Sequence, residues 1–449
     1  MTAKSLYKTG LKFHRAGNLQ QASDYYSRAL ALQPDYVPAI NNVALIAREL
    51  GKLEVAASLL REALGHAPEN FDVQINMGRV CMLRHREEEA ETHFRNALTI
   101  NPDSIEARLN LAHAVYARQD FPQARMLFEQ LLQRDRQHFA ALYNLAIIHL
   151  RENDREAANR YLERALTVKP EDMDALNQLA ENHLLHGRLD EAAPLIDRSL
   201  APRAFNTRAL ALKTVLLNHR RDEVALQRHY SYDLLLRVAP VEVSERFVSV
   251  AGFNQELVRF LDEQVIMERS PEGKATVKGL HSPTISHLPH ETMSEMNRII
   301  TDAYDSAVAA IRKADHPFHH WIPSRCDIDS WTIRLHRGGF QRSHIHPRAW
   351  LSGCYYIKVP QQVHDGANSS VDAGRQGDSC GRPGWIEFGK PDEKYNVAEP
   401  LGCTDYAPVE GEIVTFPSYF WHNTIPFSSD EERISLAFDI CPRDISPDR

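Results

Sequence analysis

The chain has 449 residues, of which 43% are hydrophobic and 25% are charged, and its net charge is -8 at neutral pH. These values indicate a folded protein with two or more domains and give no reason to expect a nucleic-acid partner. The six cysteines form no CxxC pair, and no apolar run reaches the ~18 to 20 residues that span a bilayer. Because the first residues also lack a secretory signal, we expect a cytoplasmic protein without a membrane partner.

A repeat of 34 residues organises the N-terminal part of the chain. A small residue recurs where one helix has to pack closely against the next, at Gly10, Ala44, Gly78, Ala112, Ala146 and Ala180. A second small position, which begins with Ala22, is followed four residues later by a large apolar residue. Proline ends the second helix of most repeats because it cannot continue a helix. Residues 3–206 therefore resemble tetratricopeptide proteins, which implies an all-α superhelix with a concave binding surface.

Asparagine occupies one position in four successive repeats, namely Asn42, Asn76, Asn110 and Asn144. An asparagine amide both donates and accepts hydrogen bonds, so a column of them can hold a peptide backbone without reading its side chains. The column resembles the asparagine ladder of the O-linked N-acetylglucosamine transferase array. This resemblance implies a protein or peptide partner in the groove. The alternative is that each amide only bonds the neighbouring helix.

The repeat fades after residue 206, and the pattern changes twice. Residues 207–239 still have helical periodicity and are expected to cap the array and link it to the next domain. Two amphipathic helices then precede a region, from Ser330 onward, of short β-rich runs separated by Gly, Pro, Asn and Asp. These runs predict an antiparallel double-stranded β-helix, or jelly roll, with flanking helices. The fold class is therefore α+β multidomain, with the jelly-roll domain over residues 240–442.

Three histidines and an arginine in this last domain have the spacing of a metal site. His344 and His346 are two residues apart, so on a strand they point to one face, and His422 follows a later strand. Arg433 and Ser435 lie farther along, and a guanidinium is the natural bidentate partner of a carboxylate. The arrangement fits a non-haem iron site that also holds a keto acid.

The stretches HIHPRAWLSGCYYI, GWIEFGKP, GEIVTFPSYFWHNTIPF and ERISLAFDI resemble the 2-oxoglutarate- and Fe(II)-dependent oxygenases that often follow tetratricopeptide arrays. The resemblance implies Fe(II), 2-oxoglutarate and O2, with His344 and His422 as iron ligands. It also implies that Arg433 and Ser435 bind the far carboxylate of 2-oxoglutarate. Either Tyr355 or Tyr356, with Tyr356 preferred, adds a hydroxyl, because only one of two successive strand residues can face the pocket.

The third iron ligand is open at this point, because His346 stands where the superfamily usually has Asp or Glu. In the first reading His346 is itself the ligand, which gives a three-histidine site. A carboxylate from elsewhere, with Glu387 as the candidate, is the second reading. A site with only two protein ligands, completed by water, is the third. The Gly-, Asp- and Ser-rich stretch 361–383 is expected to be either a flexible loop or a lid.

Together these observations predict a dioxygenase that hydroxylates a protein or peptide held by the repeat array. Two rival functions stay open. The first is an oxygenase that acts on a small molecule, with the array serving only assembly. The second is a non-catalytic scaffold in which the oxygenase fold is retained as a binding module.

Overall fold

The computed structural model describes residues 1–200, 205–314, 316–363 and 382–443. Most of the stretch 361–383, predicted as a loop or lid, lies outside these residues. The chain forms two compact units, Met1–Pro170 and Glu171–Arg449. In the part that the structure describes, no helix combines the length and the apolar character needed to cross a membrane. The predicted segment limits of 3–206, 207–239 and 240–442 remain predictions.

The first unit consists of antiparallel helix pairs. Its helices are α1 (Ala3–Arg15), α2 (Leu19–Leu32), α3 (Val37–Glu49), α4 (Leu53–His66), α5 (Phe71–Leu83), α6 (Glu87–Ile100), α7 (Ile105–Ala117), α8 (Phe121–Arg134), α9 (Phe139–Arg151) and α10 (Arg155–Val168). Polar residues begin many of them; the Asn70 side chain, for example, accepts a hydrogen bond of 3.1 Å from the Val73 amide. The predicted close approach of paired helices is present, because a Cβ on Gly78 would lie 2.4 Å from the Phe94 ring.

Each turn between paired helices contains one residue in the left-handed region, and these residues recur with the repeat. They are Gly17, Gly51, His85, Gln119, Asn153 and Gly187, with φ between 55° and 73°. Glycine adopts this conformation at no steric cost, whereas the other three residues adopt it under the constraint of the helix pair that they join.

The second unit begins with further helices. They are α11 (Met173–Leu185), α12 (Leu189–Ser199), α13 (Thr207–His219), α14 (Glu223–Tyr230), α15 (Tyr232–Leu235), α16 (Val250–Gln264) and α17 (Glu291–Lys313), followed by the 3-10 helix η1 (Pro317–Trp321). The end of the predicted linker is not helical: Arg237–Pro240 forms strand β1 and pairs with a strand of the sheet.

Two antiparallel sheets form the rest of this unit. The strands after β1 are β2 (Glu268–Arg269), β3 (Thr276–His281), β4 (Cys326–Gln341), β5 (Leu351–Lys358), β6 (Ile386–Phe388), β7 (Thr404–Tyr406), β8 (Glu412–Pro417), β9 (His422–Thr424) and β10 (Arg433–Pro442), and the 3-10 helix η2 (Glu393–Tyr395) precedes β7. One sheet has the order β1-β8-β5-β10-β4-β3-β2, and the other has the order β7-β6-β9. The predicted α+β class is confirmed, whereas the jelly-roll topology stays a prediction.

Helices α13 and α14 hold the turn that leads into β9. The indole of Trp421 donates a hydrogen bond of 3.1 Å to the carbonyl of Ala211, and the Tyr419 hydroxyl donates one of 2.5 Å to the carbonyl of His229. Both aromatic side chains are buried. The position of the first residue of β9, His422, is therefore set by helices as well as by the sheet.

Candidate metal centre

The structure brings the three predicted histidines together at one end of the sheets. The backbone of His344 pairs with that of His422 through two hydrogen bonds of 3.0 and 3.1 Å, and the His346 amide donates to the Ser418 carbonyl at 3.0 Å. One ring nitrogen from each histidine lies within 4.8 Å of the other two. Both histidines of the close pair follow the end of β4: His344 forms an isolated bridge with His422, and His346 lies outside any strand.

All three rings use the Nδ1 atom for a hydrogen bond to an acceptor. The Nδ1 atom of His344 lies 2.7 Å from the Arg342 carbonyl, and that of His422 lies 2.9 Å from the Phe420 carbonyl. The Nδ1 atom of His346 lies 2.6 Å from a carboxylate oxygen of Asp439. An Nδ1 that donates to oxygen places the lone pair on Nε2, and this is the usual arrangement of metal-bound imidazole. The donor set therefore fits a metal ion such as Fe(II).

The surroundings keep two of these imidazoles neutral. Burial, reinforced by the neighbouring His346, lowers the pKa of His344 to about 3. Burial, together with the other two rings, lowers the pKa of His422 well below its ordinary value. A metal ligand has to be unprotonated, so both rings are ready to bind a cation at neutral pH.

A cavity opens beside the histidines and reaches Arg433 and Ser435. It measures about 440 Å³ with its open mouth included, and its walls include Trp331, Ile333 and Phe416. The Arg433 side chain donates a hydrogen bond of 2.7 Å to the Gly384 carbonyl. Only 3% of Arg433 is exposed, and among the described residues its Nε atom has no hydrogen-bond partner and no carboxylate pairs with it. A buried cation in this state is stabilised by an incoming anion.

The two successive tyrosines of β5 point in opposite directions, as predicted. Tyr356 faces the cavity side of the sheet, where the Arg433 guanidinium lies 5.3 Å from its ring centre. Burial, reinforced by the neighbouring Cys354 thiol, raises the pKa of Tyr356 well above its ordinary value. Tyr355 lies on the other face and donates a hydrogen bond of 2.5 Å to Asn254 of α16. The structure therefore favours Tyr356 over Tyr355 as the residue near a bound anion.

Glu387, the alternative third ligand, is not brought to the histidines. Its neighbours Ile386 and Phe388 point toward the cavity and toward the His422 ring, respectively. Strand alternation therefore turns the Glu387 carboxylate to the opposite face, where it lies 3.9 Å from the Lys390 ammonium. The second reading of the third ligand needs a carboxylate that the fold directs away from the site.

The asparagine column comprises Asn42, Asn76, Asn110 and Asn144, and the amides of three of them, Asn42, Asn76 and Asn144, take part in hydrogen bonds within the array. Asn42 donates a hydrogen bond of 3.0 Å to the Tyr7 hydroxyl, and Asn76 donates one of 3.0 Å to Asn41. The Asn144 amide nitrogen lies 3.3 Å from Nε2 of His113 on α7, and it also donates a bond of 2.8 Å to the Ala140 carbonyl of its own helix. These are the contacts expected when the amides join neighbouring helices, and the binding of a peptide by the column stays a prediction.

Sequence reasoning missed Asp439 and Trp331, which both contact His346. The Trp331 ring stacks on the His346 ring with 5.6 Å between centres and 28° between planes. A signal for Asp439 was present, because Arg433, Ser435 and Asp439 alternate on one face of β10. Continuing the same alternation from Ser435 through Ala437 to Asp439 would have added this carboxylate to the site.

Comparisons with known proteins agree with the two-part organisation. Residues 329–439 match the family described as "Putative 2OG-Fe(II) oxygenase", and residues 42–105, 85–146 and 146–207 match tetratricopeptide repeat families. No curated protein matches the chain.

Several solved structures are similar to part of the chain. One is a tetratricopeptide repeat protein from Parabacteroides merdae, with 17% identity, a TM-score of 0.42, and coverage of 51% of this chain and 91% of that chain. A second is pilF of Pseudomonas aeruginosa, with 21% identity, a TM-score of 0.41, and coverage of 45% and 93%. The type IV pilus biogenesis factor PilW has 20% identity, a TM-score of 0.43, and coverage of 48% and 98%.

The family matches and the geometry of the site lead to one statement about the chain. It carries tetratricopeptide repeats and, at residues 329–439, a domain that matches the family described as "Putative 2OG-Fe(II) oxygenase".

Proposed function

We propose that the chain is a 2-oxoglutarate- and Fe(II)-dependent dioxygenase that hydroxylates a protein or peptide held by its repeat array. One observation carries this proposal. Three histidines with free Nε2 atoms meet beside a cavity that also contains a buried arginine, and no carboxylate among the described residues pairs with that arginine. A dianionic keto acid would use both features, because it can chelate a metal at one end and pair with a guanidinium at the other.

Each residue of the site has a distinct part in this proposal. His344, His346 and His422 would hold Fe(II) through their Nε2 atoms, and the bound iron would supply the O2 chemistry that hydroxylates a C–H bond. Arg433 and Ser435 would bind the far carboxylate of 2-oxoglutarate. The Arg433 guanidinium is already oriented by the Gly384 carbonyl, so little ordering would accompany binding.

Tyr356 and the apolar walls complete the pocket. The Tyr356 hydroxyl is buried beside Arg433, and its raised pKa keeps it protonated, so it can donate a hydrogen bond to the same carboxylate. Ile333, Leu335 and Phe416 line the cavity and exclude water from the bound acid. Exclusion of water strengthens the pairing between the guanidinium and the carboxylate.

The repeat array supports a polypeptide substrate, because tetratricopeptide repeats generally bind proteins or peptides on their concave face. The internal bonds of Asn42 and Asn76 favour a second candidate, in which the array serves assembly and the oxygenase acts on a small molecule. Changing Asn76 and Asn110 to Ala separates the two candidates. Loss of hydroxylation of protein targets, read by mass spectrometry on a cell lysate, supports the first, and unchanged protein hydroxylation contradicts it.

The activity itself is tested by anaerobic titration with Fe(II) and 2-oxoglutarate, followed by the visible charge-transfer band. We expect a band in the parent protein, its loss in His344→Ala and His346→Ala, and weaker 2-oxoglutarate binding in Arg433→Ala. Arg337→Ala is the matched control, because that arginine is exposed and pairs with Asp430. A folded parent protein that gives neither the band nor iron-dependent release of succinate from 2-oxoglutarate would overturn the proposal.

A further inference from the structure

A chain of buried polar groups lies behind His346. The Nδ1 atom of His346 is 2.6 Å from Oδ1 of Asp439, and the same oxygen accepts a hydrogen bond of 2.6 Å from the Ser352 hydroxyl. The Ser352 hydroxyl is in turn 2.7 Å from that of Ser418. Both serines have an exposed fraction of 0%, and the Asp439 side chain is 14% exposed. The carboxylate is therefore fixed between strands β5 and β10.

His346 is held differently from the other two histidines. His344 and His422 direct Nδ1 to neutral backbone carbonyls, whereas His346 directs it to a carboxylate. The stacked indole of Trp331 also fixes the plane of the His346 ring. A hydrogen bond to a charged partner is roughly twice as strong as a neutral one. Among the three histidines, the ring of His346 is therefore the most firmly held.

The position of His346 in the sequence suggests why its ring is paired with a carboxylate. His346 stands where related oxygenases carry an Asp or Glu ligand, so a three-histidine site lacks the negative charge that such a ligand brings to the metal. Asp439 carries one negative charge and contacts Nδ1 of the His346 ring, which leaves Nε2 of that ring for a metal. A carboxylate that accepts from a metal-bound imidazole makes that imidazole a stronger donor.

We infer that Asp439 is a positioning residue of the metal centre. It orients His346 with Nε2 toward the metal, and it supplies a negative charge to the site through the His346 ring, without contacting the metal itself. Ser352, supported by Ser418, holds the carboxylate in place. This inference rests on the proposed iron site. It adds to that site a requirement for Asp439, and it favours the three-histidine reading of the ligand set.

The test uses Co(II) as the probe, titrated into the full-length protein under anaerobic conditions and followed by its visible absorption. We expect Asp439→Asn to weaken Co(II) binding by about 10- to 100-fold. Ser352→Ala, which keeps the carboxylate but removes one of its hydrogen bonds, is expected to have a smaller effect. Asp329→Asn is the matched control, because this exposed carboxylate lies opposite Asp439 in the sheet and loses the same charge.

A second readout separates orientation of the ring from general stability. In the Co(II) protein, the Nδ1 protons of the three histidines are expected to give three exchangeable, strongly shifted proton NMR signals. Asp439→Asn should move or broaden one signal, that of His346, and leave the signals of His344 and His422 in place. Displacement of all three signals, or an equal loss of affinity in Asp329→Asn, would overturn the inference.

The outcomes also distinguish this inference from the proposed function. If the parent protein binds neither Co(II) nor Fe(II), the iron site fails and the inference fails with it. If the parent binds Co(II) and Asp439→Asn binds it equally tightly, with three unchanged signals, the iron site stands and the role of Asp439 is wrong. Tryptophan fluorescence during urea unfolding shows whether each variant is folded.

Discussion

Acid should destabilise the second unit through one buried carboxylate, that of Glu181. This residue lies on α11, and its carboxylate accepts hydrogen bonds of 2.9 Å from both the Tyr395 hydroxyl and the Lys394 ammonium of η2. The Arg208 guanidinium of α13 pairs with its other oxygen. Glu181 therefore joins a helix of the last repeat to the segment between β6 and β7.

The size of the effect follows from the pKa of Glu181. Burial alone would raise this pKa, but the charges of Arg208 and Lys394 outweigh burial and lower it from 4.5 to about 2. Because the folded-state pKa is below the ordinary value, the stabilisation is complete above about pH 4.5 and is lost as the pH falls toward 2. At about 1.4 kcal/mol per pH unit, the difference corresponds to about 3 kcal/mol of unfolding free energy.

The assay is urea unfolding between pH 7 and pH 3, followed by tryptophan fluorescence. All five tryptophans belong to the second unit, so the signal reports on that unit. We expect Glu181→Gln to lose about 3 kcal/mol at pH 7 and to show less acid sensitivity than the parent. Glu191→Gln, on the exposed face of α12, is the control. Equal acid sensitivity in the parent and in Glu181→Gln would refute the reasoning.

Two further predictions concern the cosubstrate pocket. Tyr355→Phe removes the bond to Asn254 and should cost about 1 to 3 kcal/mol of unfolding free energy with 2-oxoglutarate affinity unchanged. Tyr356→Phe should weaken 2-oxoglutarate binding and leave the free energy of unfolding unchanged. Urea unfolding and 2-oxoglutarate titration of both variants measure the two quantities. The same result for Tyr355→Phe and Tyr356→Phe would contradict the assigned directions of the two side chains. Gly384→Ala should weaken 2-oxoglutarate binding, because the residue has φ +82° and a Cβ there would lie 2.4 Å from Val363. Displacing its carbonyl would release Arg433, and an unchanged affinity for 2-oxoglutarate would contradict this role.

The features that sequence reasoning predicted correctly are those with local or periodic signals. The helix pairs repeat every 34 residues, and the histidine pair has a spacing that is visible without a fold. Several short strands were missed, and two of them, Arg237–Pro240 and Thr276–His281, were missed for identifiable reasons. All four residues of Arg237–Pro240 are exposed, and Thr276–His281 buries its residues without strict alternation, so neither has the period of two that marks a strand.

The features that depend on distant contacts needed the structure. His346 and Asp439 are 93 residues apart and meet only because β10 lies between β4 and β5. Glu387 was a reasonable candidate ligand by residue type, and only the direction of β6 excludes its carboxylate from the cavity. The bonding of the asparagine amides to neighbouring helices likewise depends on which repeat each of them faces.

A final prediction concerns the packing of a small residue of one helix, Gly78 of α5, against a large residue of its partner helix, Phe94 of α6. A Cβ on Gly78 would lie 2.4 Å from the Phe94 ring, whereas in the preceding repeat Ala44 is followed by the smaller Leu60 at the corresponding place. Gly78→Ala gains about 1 kcal/mol of helix propensity, but overpacking against the ring should cost about 1 to 3 kcal/mol. In the background of Phe94→Leu only the gain should remain.

The double-mutant cycle therefore isolates the steric term, because the propensity gain is present on both of its sides. We expect a coupling energy of about 1 to 3 kcal/mol between Gly78→Ala and Phe94→Leu. Hydrogen exchange of α5 and α6 in the full chain measures it locally, which matters because repeat arrays do not always unfold as one unit. Ala112→Gly is the reference, because that alanine already accompanies an aromatic residue, Phe128, and its loss should cost about 1 kcal/mol. A coupling energy near zero would mean that the ring moves aside freely, and that the pairing of glycine with a bulky aromatic does not stabilise this repeat.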